Sequence, residues 1–187
     1  DVKEFSGCQI YDEHGARVKL YVCLFLDSHS RMILSYKTAT DQKQHISMDP
    51  MRQMVETFGL PKTILTDNGS IYRSKVMNRA CACLGIRLSF CAARQPEGKG
   101  AIERMNGILN ELETQFKALG RAPLDVYVTC IEEWVARHNS SPSALLGGRS
   151  PEQAFHVACR APAFAGQEVL EEAFKRSEVR KVAKDGT

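Results

Sequence analysis

Thr63-Ile64-Leu65-Thr66-Asp67-Asn68-Gly69-Ser70 is the stretch on which the reading of this chain turns. Thr63 to Thr66, introduced by Leu60-Pro61, is a short buried strand, and it closes on Asp67. Asp67-Asn68-Gly69 has the chemistry of a turn, because Asp and Asn bond their own backbone and Gly accepts positive φ. A hairpin would need a second strand next. Instead Ser74 caps a helical pattern that runs to Leu84 and stops at Gly85, and Ile86 to Phe90 follows as another strand. Strand, helix and strand in succession place Asp67 at the end of a strand in an α/β sheet.

Upstream, Lys19 to Asp27 is a nearly continuous apolar run rich in strand formers, and Met32 to Thr38 follows after Ser28-His29-Ser30. Asp12-Glu13-His14-Gly15 separates these from a first strand, Asp1 to Tyr11, so three antiparallel strands are expected. A helix lies within Asp41 to Phe58, starting either at Pro50 behind Asp49 as cap or from Gln44 with a kink. Downstream, Ala92 to Lys99 is polar; then Ile102, Met105, Ile108, Leu109, Leu112 and Phe116 recur at helical spacing, giving a helix from about Gly100 to Leu119. Another helix covers Leu124 to His138, and Ser150-Pro151-Glu152-Gln153 is a capping box. The order describes a five-stranded mixed sheet flanked by helices on both faces.

The 187 residues, 43% apolar and 25% charged, suit one globular domain. No apolar run approaches the roughly 18 residues of a membrane span, so a cytoplasmic protein is expected. Seven scattered cysteines lack zinc-site spacing and read as reduced, mostly buried thiols. A net charge of +3, with acids interleaved among bases, permits nucleic-acid binding without demanding it. There is no Gly-rich phosphate loop, and nothing near His138 supports an activated nucleophile.

The acids carry more. Thirty-five residues, 68 to 102, separate Asp67 from Glu103, which opens the long helical pattern. Taken singly, Asp67 is a turn residue, Glu103 a solvated helix glutamate and Asp1 a chain end. Together they suit two-metal phosphoryl transfer, which needs hard oxygen ligands. A third carboxylate is expected from the first strand, where Asp1 leads; Asp27, at a hairpin turn beside Arg31, is its rival. Helical geometry puts Lys99, Asn106, Gly107 and Asn110 on or near the face of Glu103, where Lys99 and Asn110 either meet phosphate or sugar or simply face solvent. Arg73, Lys75, Arg94, Arg104 and Lys117 either extend a basic track or are ordinary surface.

These residues resemble the catalytic core of retroviral-type integrases and of bacterial insertion-sequence and Mu-like transposases. Asp1-Val2-Lys3 looks like the family's first-aspartate strand, and Phe25 to Arg31 like its next hairpin. Leu65 to Ser70 is similar to its second-aspartate motif, and Gly98 to Gly107 to its glutamate helix. His138 to Leu145 and Ser150 to Phe155 resemble a later segment of bacterial members, departing at Ser141 and Ser143, where those often carry arginine and histidine. The resemblance implies a ribonuclease-H-like fold in which Asp1, Asp67 and Glu103 bind two Mg²⁺ or Mn²⁺, with Asp27 structural. It implies DNA as partner, contacted by Lys99, Arg104 and Asn110, and a homo-oligomer in the active complex. It further implies a bacterial, DNA-associated source, a core over 1–158, and a linker over 159–187 leading into a truncated β-barrel domain. End recognition would lie in an N-terminal domain not included. Cleavage followed by strand transfer is the expected activity. A nuclease of the same fold, acting on RNA–DNA hybrids or DNA junctions without joining ends, is one alternative; a metal-free nucleic-acid-binding remnant is another.

Overall fold

The computed structural model describes residues 2–5, 7–43, 45–91, 96–158 and 161–175, the side chains of 96–99 and 101–102 excepted. In chain order these form β1 (Val2–Glu4), β2 (Gln9–Tyr11), β3 (Arg17–Val18), β4 (Tyr21–Leu26), β5 (Ile33–Ala39), α1 (His45–Phe58), β6 (Thr63–Thr66) and α2 (Lys75–Cys83). There follow β7 (Arg87–Phe90), α3 (Pro96–Leu119), β8 (Arg121–Pro123), α4 (Leu124–Ser140), α5 (Pro151–Ala158) and α6 (Gln167–Phe174).

β4 organises the molecule. It lies between β1 and β5, antiparallel to both, and its first five residues are buried. Strand side chains alternate in direction, so its two faces feed two cores. Tyr21, Cys23 and Phe25 pack with Met51, Met54 and Val55 of α1 and with Ile64, Tyr72 and Met77. Leu20, Val22 and Leu24 pack with Leu109, Leu112 and Phe116 of α3 and with Tyr127, Ile131 and Trp134 of α4. Helices thus cover both faces, as expected.

The single five-stranded sheet is not what forms. Among the described residues the ladders are β1-β4-β5, β3-β2-β8 and a parallel β6-β7 pair. The expected first strand divides, because Cys8 N–H turns back to Phe5 O and both residues enter the α3–α4 core; the Phe5 and Phe116 rings meet edge to face at 4.7 Å. β2 is then free to pair with β3 and, in parallel, with β8. β8 is Arg-Ala-Pro, with no apolar alternation to announce it, and Arg121 lies over the Tyr11 ring at 4.6 Å.

The earlier of the two starts expected for α1 forms, whereas α3 starts sooner than expected. α1 begins at His45 with Pro50 inside, and Asp49, rather than capping, pairs with Lys37 at 3.3 Å. The Pro50 carbonyl accepts from Ser35 Oγ at 2.7 Å, tying α1 to β5. α3 begins at Pro96, four residues ahead of the expected Gly100, since proline is well suited to the first helical position. Ser74 caps α2 through Met77 N–H, and Ser150 and Gln153 exchange the two bonds of a capping box at 3.0 and 3.2 Å.

Reading 159–187 as linker omits α6, which buries Leu170 and Ala173 beside α1 and α2 and is held by Arg79 and Glu172. Its lead-in docks where Gly59 (φ 86°) ends α1: Leu60 N–H reaches Ala163 O at 2.7 Å, and a Cβ on Gly59 would stand 2.7 Å from that oxygen. The six described cysteines are free thiols, with Cys8, Cys23 and Cys81 buried and Cys83 exposed. Burial pushes the Cys81 thiol up to about 11, which keeps it protonated and unreactive at neutral pH.

Candidate active site

Asp67 is held by its own loop. The β6–β7 ladder runs past Thr66 through Cys91 N–H to Thr66 O at 2.9 Å, and Asn68 Nδ2 returns to Cys91 O at 3.2 Å. Gly69 N–H donates to Asp67 Oδ1 at 2.8 Å. The sequence suggests glycine here for positive φ, but the cause is space: a Cβ on Gly69 would stand 2.9 Å from that same oxygen. Gly69 O then accepts from Tyr72 N–H, and Tyr72 is buried with its hydroxyl 3.7 Å from Cys23 Sγ in β4. Burial first, then Cys23 and the Asp67 carboxylate, push the Tyr72 phenol well above its ordinary range. Burial and Asp67 raise the Cys91 thiol as well.

A cavity of about 360 Å³ opens beside Asp67, lined also by Thr66, Asp27 and, from α3, Arg104 and Met105. Asp67 and the helical turn next to Glu103 therefore face one space. Glu103 is exposed and, with α3 starting at Pro96, lies at the end of the second turn rather than in the first. Asp1 lies outside the described residues. Its neighbour Val2 pairs with Cys23, the residue that Tyr72 touches beside Asp67. Among the described residues no group of three His, Cys, Asp or Glu side chains is gathered to hold a metal. The donor chemistry nonetheless suits a hard cation: carboxylates at Asp67 and Glu103, and a buried Thr66 hydroxyl with no hydrogen-bond partner among the described residues, of the kind a cation's water satisfies.

Asp27 lines the same cavity but is engaged. Its Oδ2 accepts from His29 N–H, Ser30 N–H and Ser30 Oγ at 3.2, 2.7 and 2.8 Å, holding the β4–β5 turn as a structural aspartate would. Arg31 meets it through the backbone, N–H to Asp27 O at 2.9 Å. Asn110 is occupied too, accepting from Lys3 Nζ at 2.8 Å, while Lys3 also pairs with Glu113 at 2.6 Å. Arg104 lies back along α3: a Cβ on Gly100 would be 3.4 Å from its Nη1. The side chain of Lys99 and the whole of Arg94 fall outside the described set. Arg73 donates to Asn68 Oδ1 and covers the Phe90 ring, and Lys117 pairs with Glu113, so these two serve local contacts.

His138 and Asn139 have a role that spacing alone does not disclose. Asn139 bonds both backbone groups of Ile33 at 2.9 Å, standing in for a ladder partner at the start of β5. His138 Nε2–H donates to Arg31 O at 2.9 Å. Together they clamp the β4–β5 turn to α4.

Comparison with known proteins agrees with this architecture. The integrase core domain family matches residues 1–96. The Gag-Pol polyprotein of woolly monkey sarcoma virus is 27% identical over 130 residues, 70% of this chain and 7% of that protein, so the chain spans less than a tenth of such a relative. Among solved structures, the simian T-cell lymphotropic virus intasome in complex with PP2A regulatory subunit B56 gamma superposes with a TM-score of 0.62 at 22% identity, covering 89% of this chain and 56% of that one. The HTLV-2 integrase catalytic core in complex with magnesium, in its trimeric form, gives 0.58 at 23%, covering 83% and 93%. These likenesses establish an α/β, ribonuclease-H-like fold. The relatives are retroviral and give no support to a bacterial source. No helix among the described residues is long and apolar enough to cross a membrane. With its first 96 residues matched and its helices disposed on both faces of β4, the chain belongs to the integrase core domain family.

Proposed function

We propose that this chain is the catalytic core of a DNA integrase. It cuts at a DNA end with water and then joins the exposed 3′ hydroxyl to a target phosphodiester. The observation that carries the reading is the shared cavity: Asp67, fixed at the end of β6, opens on the space that Arg104 and Met105 of α3 also line, one residue from Glu103. The Val2–Cys23 pairing and the Cys23–Tyr72 contact, which bring the start of β1 toward the Asp67 loop, support counting Asp1 in the same set.

Asp1, Asp67 and Glu103 would hold two Mg²⁺ or Mn²⁺, hard cations matched to carboxylate oxygens. When bound, such ions activate the incoming oxygen and neutralise the leaving one in an in-line displacement. The chain's own contribution is position. Gly69 N–H fixes one Asp67 oxygen, leaving the rest of the carboxylate's acceptor capacity for a ligand. Lys99, Arg104 and Asn110 share α3 with Glu103 and would meet the phosphates, Asn110 through its amide N–H groups because its oxygen already accepts from Lys3. Magnesium in the HTLV-2 core and the oligomeric forms of the neighbours support extending a metal-bound homo-oligomer acting on DNA to this chain.

Asp67→Asn and Glu103→Gln are expected to abolish Mg²⁺-dependent cleavage and joining of a DNA end while circular dichroism and Tm hold; retained cleavage rejects the assignment. A substrate with a pre-cut 3′ end isolates joining, and cleavage without joining would reassign the chain as a nuclease.

A further inference from the structure

A second hollow, of about 700 Å³, runs between α3 and the loop that follows α4. Arg31 from the β4–β5 turn, Arg104 from α3 and Arg137 from α4 line it, with one acid, Glu111, among them. Arg104 lines this groove and the Asp67 cavity alike, so the two hollows adjoin at its side chain. Gly107 keeps the helix surface low here: a Cβ added to it would meet nothing within 4 Å.

Arg31 is the informative member. Its φ of 62° makes it the one non-glycine residue with left-handed backbone among the described residues. Residues with a Cβ seldom adopt that conformation, which glycine and asparagine tolerate better. The turn itself asks for no arginine, since its contacts among the described residues are N–H to Asp27 O and C=O from His138 Nε2–H, which any residue but proline supplies. A strained backbone that carries a cation to a largely apolar groove already edged by two other arginines indicates that the side chain is used.

We propose that this groove seats the sugar-phosphate backbone of a DNA strand leading to Asp67, with Arg31 taking one phosphate and Arg137 another. The choice of partner rests on the integrase reading above. Three guanidinium groups drawn from three separate elements suit a repeating anion better than a single one. Arg137 spends one N–H on Gln115 Oε1 at 2.8 Å and has others for a phosphate oxygen. A strand lying here passes Arg104 before it reaches the carboxylates.

The test compares wild type, Arg31→Asn and Arg31→Lys for binding to a fluorescein-labelled duplex with a recessed end, by anisotropy across about 50 to 200 mM salt. Asparagine suits the backbone and removes the charge, so Tm is expected to hold or rise. Kd is expected to rise roughly three- to tenfold, and the slope of log K against log salt to shrink by about 1. Lysine should retain the slope. Unchanged Kd and slope in Arg31→Asn, a fall in Tm matching the loss of binding, or a wild-type chain without salt-dependent affinity each overturns the groove. The two readings fail separately. Cleavage that depends on Asp67 with binding indifferent to Arg31 sinks the groove alone; binding that depends on Arg31 with cleavage surviving Asp67→Asn sinks the carboxylate site alone.

Discussion

Asp67 is positioned by its immediate neighbours, whereas Glu103 is positioned from a distance. The first sits where a parallel ladder ends, with Gly69 N–H on one oxygen and the Asn68 and Tyr72 contacts fixing the loop around it. The second is exposed on α3, whose fully buried anchors among the described side chains, Leu109, Leu112 and Phe116, lie six to thirteen residues further on, with Met105 only partly buried against the same core. At 1.5 Å per residue that is roughly 9 to 20 Å along the helix. One half of the site is local geometry and the other is the tip of a lever. Stability and activity should therefore respond differently when each half is disturbed.

The largest effect on that contrast is the loss of activity in Asp67→Asn or Glu103→Gln with the fold intact. Phe116→Ala attacks the lever at its root. Phe116 has no exposed surface and meets the rings of Phe5 at 4.7 Å and Tyr127 at 4.9 Å. A loss of about 3–5 kcal/mol is expected in urea unfolding, with cleavage declining in parallel. Full activity in a destabilised Phe116→Ala protein would show that Glu103 does not depend on this anchor.

Gly69→Ala should do the reverse. Its new Cβ would crowd Asp67 Oδ1 at 2.9 Å, so the carboxylate must turn away. Cleavage is expected to fall about tenfold or more, equivalent to about 1.4 kcal/mol of barrier, while stability changes by about 1 kcal/mol. An active Gly69→Ala protein would place the glycine's role elsewhere.

The smallest effect concerns Lys3, which ties β1 to α3. Lys3 first, and Lys117 after it, hold the Glu113 carboxyl below the usual carboxylate range. The unfolded chain then takes up this proton at higher pH than the folded one. The contribution is complete above the ordinary carboxylate value and disappears as pH falls through the lower folded one. Glu113→Gln should lower Tm slightly near neutral pH, by an amount set by at most about 1 kcal/mol, and the difference should close in acid. A difference constant from about pH 7 to about pH 3 contradicts the pairing.

Much of the frame is legible in the residues themselves. β6, the Ser74 cap, the stop at Gly85, the capping box at Ser150 and the apolar stripe of α3 all follow from local spacing, because each depends on contacts within a few residues. β8 escapes such reading because a three-residue strand exists only through its partner β2. α6 escapes it because eight residues make a helix only when docked, here on α1 and α2. The clamp of Asn139 on Ile33 joins positions 106 residues apart, and no spacing rule reaches that far.

The amino-acid sequence alone determined which carboxylates were available, which elements carried them and that the sheet would be covered on both faces, since periodicity, caps and turn chemistry are short-range properties of the chain. Tertiary packing decided the rest: that Asp67 shares a cavity with the turn beside Glu103, that Asp27 is taken up by its own hairpin, and that Arg31 is held in a left-handed turn at the edge of a groove with two other arginines. Those outcomes depend on which surfaces bury against β4, a competition among segments distant in sequence that no local pattern records.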